Sequence, residues 1–163
     1  MQKQFRPALP VNYLLKIKTY KFFLIMFGSL FPLGAITTFL PEPEMIEPIT
    51  SEGIIIEVLL VIFLYPLFET LVFQMLIIEV IRKIINRPKK NICLALLLSS
   101  AAFALNHTYS LYYMAFTFLV GLVLALAYYL GRYRRENALL LTFLIHSLYN
   151  SCSLLYNNIF YQG

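Results

Sequence analysis

The chain has no tryptophan, only two cysteines and two histidines, and little charge: 13% of its 163 residues are Lys, Arg, Asp or Glu, while 60% are hydrophobic. Soluble domains carry about a quarter charged residues, so a free-standing soluble globule is excluded and lipid is the solvent for much of the surface. Cys93 and Cys152 stand in no CxxC or other metal spacing. A disulfide framework is therefore not expected, and both read as small apolar core residues. No short apolar run ends in a small-residue cleavage site, so the N-terminus is expected to be retained. At this length the expectation is one domain, residues 1–163.

Charge is also absent locally. Asn91 to Gly131 and Asn137 to Gly163 contain no Lys, Arg, Asp or Glu. The thirteen basic residues fall into three groups, Lys3 to Lys21, Arg82 to Lys90 and Arg132 to Arg135, and an acidic, proline-rich loop from Pro41 to Glu52 separates the first two. At about 20 residues per crossing, the apolar runs divide into five spans near 19–40, 54–86, 91–106, 110–131 and 138–161. The turn between the third and fourth falls at Asn106-His107-Thr108-Tyr109-Ser110, the most polar part of its run. The expected fold class is all-α, a polytopic transmembrane helix bundle. Alternating the direction of the spans puts every Lys and Arg on one side, which places the N-terminus in the cytoplasm and the C-terminus outside. The net charge of +5 is then a topology signal, with no nucleic-acid partner expected.

Two spans are expected to be irregular. Pro32-Leu33-Gly34 should kink the first. Pro66 should break or kink the second just before Glu69, leaving that carboxylate near a helix N-terminus, where a negative charge is favourable.

Ionisable groups at membrane depth are costly and are functional candidates by default. Glu69, His107 and His146 all lie inside long apolar stretches, and Asn150 follows His146 by one helical turn. Counted from the basic ends, Glu69, His107 and Asn150 lie roughly 25, 24 and 21 Å along their spans. His146 and Asn150 share a helix face by i,i+4 spacing, as Phe103 and His107 do. A carboxylate, two imidazoles and an amide at one level are the parts of an acid/base site. Taken singly, each His reads equally as interhelical glue, and Asn150 more often so. Glu57 and Glu79, near the ends of the second span, read as structural or solvated.

The same residues carry a resemblance. Pro66-Leu67-Phe68-Glu69-Thr70-Leu71-Val72-Phe73-Gln74 resembles the first motif of the CAAX protease and bacteriocin-processing family of intramembrane glutamic proteases, also called Abi proteins, which reads Glu-Glu-x-x-x-Arg after an apolar stretch ending in proline. Phe103-Ala104-Leu105-Asn106-His107 resembles its second motif, Phe-x-x-x-His, and His146-Ser147-Leu148-Tyr149-Asn150 its third, His-x-x-x-Asn. The similarity covers about residues 54–152. Thr70 stands where the family has a second glutamate and Gln74 where it has arginine.

The resemblance implies a membrane endopeptidase in which Glu69 and His107 activate a water and His146 and Asn150 stabilise the oxyanion. Thr70, Gln74 and Phe103 would orient the site. It further implies no cofactor and no metal. The expected partners are a peptide or protein substrate at the membrane and the lipid bilayer, in a bacterial cell membrane. Two alternatives stay open. One is a catalytically degenerate scaffold or bacteriocin-immunity partner, given Thr70 and Gln74. The other is a zinc-dependent membrane protease with His107, His146 and Glu69 as ligands, although no His-Glu-x-x-His motif is present.

Overall fold

The structure, a computed structural model, describes residues 9–37, 56, 58–85 and 88–160. Every regular element among them is helical: α1 Leu9–Lys16, α2 Thr19–Gly28, α3 Leu30–Thr37, α4 Leu59–Ile84, α5 Pro88–Leu105, α6 Leu111–Tyr133 and α7 Ala138–Phe160. Thr19–Ile36, Leu59–Ile84, Leu111–Tyr133 and Ala138–Tyr156 are long and apolar enough to cross a membrane, and Ile92–Leu105 is a shorter apolar helix. The five expected spans are therefore present, and the protein is an all-α integral membrane bundle. The acidic loop from Pro41 to Glu52 and Glu57 lie outside the described residues.

The first span is interrupted, though not at Pro32. The break falls at Ser29, between α2 and α3, and Pro32 sits in the first turn of α3. Proline has no N–H and its ring excludes the carbonyl four residues earlier, which here belongs to Gly28. The helix therefore ends where that carbonyl would have been needed.

Pro66 does not break the second span, and Glu69 is not at a helix N-terminus. The chain stays helical from Leu59 to Ile84 by widening twice: Leu59–Leu64 and Thr70–Leu76 are π-helical, with α-helical turns at Tyr65–Glu69 and Ile77–Ile84. Tyr65 N–H reaches back to the Leu60 carbonyl, an i→i−5 bond. The wider turn in front of Pro66 relieves the proline ring without ending the helix.

Helix α6 is central, packed most closely on α5 and next on α7. Its buried side chains, among them Val120, Leu124, Tyr128 and Tyr129, join Phe22, Met26 and Leu30 of the first span, Ile78 and Ile81 of α4, Ala95 and Phe103 of α5, and Leu141 and Ile145 of α7 in one core. Between membrane helices, close packing replaces the hydrophobic effect as the attraction, so small residues mark the contacts. A Cβ on Gly121 would stand 3.1 Å from the Ser100 Cα and 3.2 Å from the Phe103 ring. The missing side chain sets the approach of α6 to α5 and seats Phe103. Cys93 is exposed on α5 and is not a core residue, and both cysteines are free. In a bundle whose outer surface meets lipid, an apolar residue need not be inside.

Three arginines tie helices together. Glu79 Oε1 accepts hydrogen bonds from Arg82 (3.2 Å), Arg132 (2.7 Å) and Tyr128 (3.1 Å), a structural role that ties α4 to α6. The Arg134 guanidinium donates to the carbonyls of Leu14 and Ile17 and to Glu136, and lies over the Phe22 ring. Glu136 also accepts from Thr19 at 2.6 Å. These contacts lock α1 and α2 to the end of α6.

Candidate active site

The turn expected at Asn106–Ser110 is present: α5 ends at Leu105, and Ser110 caps α6 by accepting from the Tyr113 N–H at 3.1 Å. His107 lies in this turn. Glu69 comes from the middle of α4, between its two widened segments. His146 comes from α7, whose start is capped by Asn137 Oδ1 accepting from the Leu140 N–H.

The three side chains converge. Glu69 Oε1 is 3.6 Å from His107 Nε2, and Glu69 Oε2 is 3.6 Å from His146 Nε2. Each carboxylate oxygen thus faces a different imidazole, at distances slightly longer than a hydrogen bond, so a water touching both partners would bridge them from the side. His146 is buried, while Glu69 and His107 are partly buried. Glu69 carries no Lys or Arg ion pair among the described residues.

His107 has a defined tautomer. Its Nδ1 is 2.8 Å from the Phe103 carbonyl oxygen. A carbonyl only accepts, so Nδ1 carries the proton, and in the neutral ring Nε2 presents a lone pair toward Glu69. The Phe103 ring, itself buried, packs at 4.6 Å from the His107 ring and 5.7 Å edge-on from that of His146. One aromatic side chain therefore sets the position of both imidazoles.

Asn150 occupies the α7 turn after His146, and its Nδ2 donates to the Val61 carbonyl at 3.1 Å. It ties α7 to the first widened segment of α4. Thr70 and Gln74 are fully buried, and neither hydrogen-bonds Glu69. The amide that does so is Asn106, whose Nδ2 donates to Glu69 Oε1 at 3.4 Å. The sequence reading placed Asn106 only in the turn. Its position next to His107, at the level of Glu69, was the available signal. Tyr113 was likewise missed; its ring lies 6.2 Å from that of His107. Among the described residues no group of three His, Cys, Asp or Glu side chains is arranged to hold a metal ion.

The arrangement can polarise a water between a carboxylate and an imidazole lone pair, beside a second imidazole available to a developing charge. No curated protein and no solved structure shows a significant match to the chain. One protein-family model, described as "Type II CAAX prenyl endopeptidase Rce1-like", matches residues 51–152, which is well over half of the sequence and spans Glu69, His107, His146 and Asn150. The chain belongs to the type II CAAX prenyl endopeptidase Rce1-like family.

Proposed function

We propose that the protein is an intramembrane endopeptidase in which Glu69 and His107 activate a water for attack on a peptide carbonyl. The observation that carries this reading is a single carboxylate with each oxygen facing the Nε2 of a different histidine, the three residues coming from separate segments. Water held against Glu69 and the His107 lone pair gives up a proton as its oxygen adds to the carbonyl carbon. His146 Nε2, with the second N–H of the Asn150 amide, donates to the oxyanion. Glu69, which takes the proton from the water, returns it to the leaving amine as the C–N bond breaks. The substrate is a peptide or protein presented at the membrane. The chain folds as one domain and sits in a bacterial cell membrane with its N-terminus in the cytoplasm, the side on which its basic residues gather.

The test is cleavage of a prenylated CAAX-type peptide in lipid, in parallel with complementation of a deletion strain. Glu69→Gln, His107→Ala and His146→Ala are each expected to abolish function at unchanged membrane abundance. Full function in Glu69→Gln would overturn the protease reading and leave a scaffold. A chelator should leave activity intact; loss on chelation and recovery with zinc would replace water activation by Glu69 and His107 with a metal mechanism.

A further inference from the structure

Beneath the Glu69–His146 contact lies a set of buried polar atoms that the reaction above does not use. Thr70 Oγ1, both polar atoms of the Gln74 amide, Thr142 Oγ1 and His146 Nδ1 have almost no accessible surface and no hydrogen-bond partner among the described residues. They form two one-turn pairs. Thr70 and Gln74 lie four residues apart on α4, Thr142 and His146 four apart on α7, and the Thr70–Leu76 segment packs against α7. Thr70 follows Glu69 in the chain, Gln74 lies about 7.5 Å along α4 from Glu69, Thr142 about 6 Å along α7 from His146, and Glu69 touches His146, so the two pairs sit on packed helices next to that contact.

Roughly nine in ten or more buried polar groups in proteins are satisfied, and those without a protein partner are served by internal water. This site is polar enough to hold one: two hydroxyls that donate or accept, an amide with both capacities, and an imidazole nitrogen. His107 Nε2 faces Glu69 at the same distance, but its proton is claimed on Nδ1 by the Phe103 carbonyl; among the described residues no carbonyl takes a proton from His146 Nδ1, so at His146 the carboxylate oxygen favours a proton on Nε2. Nδ1 is then an acceptor and needs a donor.

We propose that Thr70, Gln74 and Thr142 hold a buried water that donates to His146 Nδ1 and so fixes the His146 proton on Nε2. The two histidines are then held in opposite tautomers by different means. The Phe103 carbonyl takes the Nδ1 proton of His107, leaving its Nε2 as an acceptor toward the reacting water. The buried water keeps His146 Nε2 as a donor toward the oxyanion. Thr142, Thr70 and Gln74 are positioning residues that act through His146. This deepens the protease reading and rests on it only for the use to which the donor is put.

The chain has only two histidines, so ring nitrogens labelled with ¹⁵N give two spin systems, assigned with His107→Gln. Solid-state NMR of the full chain in lipid, at about pH 8 where an unperturbed imidazole is neutral, is expected to show His107 protonated on Nδ1. It should show His146 protonated on Nε2, with its Nδ1 in contact with water. Thr142→Val with Gln74→Leu should remove that water contact and mix the His146 tautomers, leaving His107 unchanged. A wild-type His146 protonated on Nδ1, or one with a dry Nδ1, would overturn the proposal without any variant having to fold, as would a double variant with an unchanged His146 spectrum. No substrate is involved. An inactive protein with the expected spectrum would sink only the protease reading, and an active one with the opposite His146 tautomer would sink only this one.

Discussion

The Phe103 carbonyl accepts the Nδ1 proton of His107 at 2.8 Å while the Phe103 ring packs against the imidazole at 4.6 Å. One residue thus fixes both the tautomer and the tilt of its neighbour one turn on. The backbone bond survives substitution; the ring contact does not. Phe103→Ala should cost about 3–5 kcal/mol of stability and most of the activity, whereas Phe103→Leu should keep the fold and lose rate. Thermal unfolding in detergent beside cleavage rates would separate the two.

The two amides near Glu69 should respond differently. Asn106 is exposed and donates to the carboxylate, so Asn106→Ala should lower the rate roughly tenfold, about 1.5 kcal/mol, with no change in stability. Asn150 bridges to the Val61 carbonyl. Asn150→Ala should cost about 1 kcal/mol of stability and, if its second N–H serves the oxyanion, about 10²–10³ in rate. Equal effects of the two on unfolding temperature would contradict this division.

Gly121 and Gly34 make a matched pair of tests. A Cβ at Gly121 meets the Ser100 backbone at 3.1 Å, while one at Gly34 meets the end of the Tyr149 side chain at 2.8 Å. Backbone cannot yield as a hydroxyl tip can. Gly121→Ala should lose about 1–3 kcal/mol and impair cleavage through Phe103, and Gly34→Ala should be the milder. The reverse order in unfolding experiments would show that the α5–α6 approach is not limiting.

Glu136 supplies a pH dependence outside the membrane. Burial alone would raise its carboxyl pKa, but the hydrogen bond from Arg134, that from Thr19 and the Arg134 charge outweigh it and hold the group below its ordinary 4.5. A depressed folded-state value gives stability that is present above the ordinary value and lost as pH falls through the folded one. The unfolding temperature should therefore drop on acidification below about 4.5, and Glu136→Gln should flatten that slope. An unchanged slope in the variant would mean that other carboxylates dominate.

Orientation is checked by reporter fusions. Those after Lys90 and Arg135 should read cytoplasmic, and those near Glu47 and at the C-terminus external, because all thirteen basic residues lie in segments assigned to one side. A cytoplasmic C-terminus would reverse the proposed topology.

Much of this was legible in the residues. The spans followed from the uncharged runs, the Asn106–Ser110 turn from its polarity, and the meeting of Glu69, His107 and His146 from matched depth and motif order. What hydropathy and spacing do not encode is how a helix absorbs a local fault. Pro66 and Pro32 carry the same chemical lesion, yet α4 widens around one while the first span stops ahead of the other. Side-chain partners were equally hidden: nothing in i,i+4 spacing pairs Asn150 with a carbonyl 89 residues earlier, or exposes Cys93. Such pairings depend on helix rotation, which the widened segments shift.

That rotation gives the Thr70–Leu76 segment a consequence for how the protein tolerates deletions. Its π geometry accommodates one more residue per turn than an α-helix pattern would. Deleting a single residue there would let the segment relax to ordinary α geometry, with the turns before it keeping nearly the same phase relative to Ile78 and Ile81, which stay in the core. Glu69 would stay close to both histidines, whereas the same deletion in the α-helical Ile77–Ile84 stretch would turn it by about 100°. The widened turns are where α4 can lose a residue and keep its catalytic geometry.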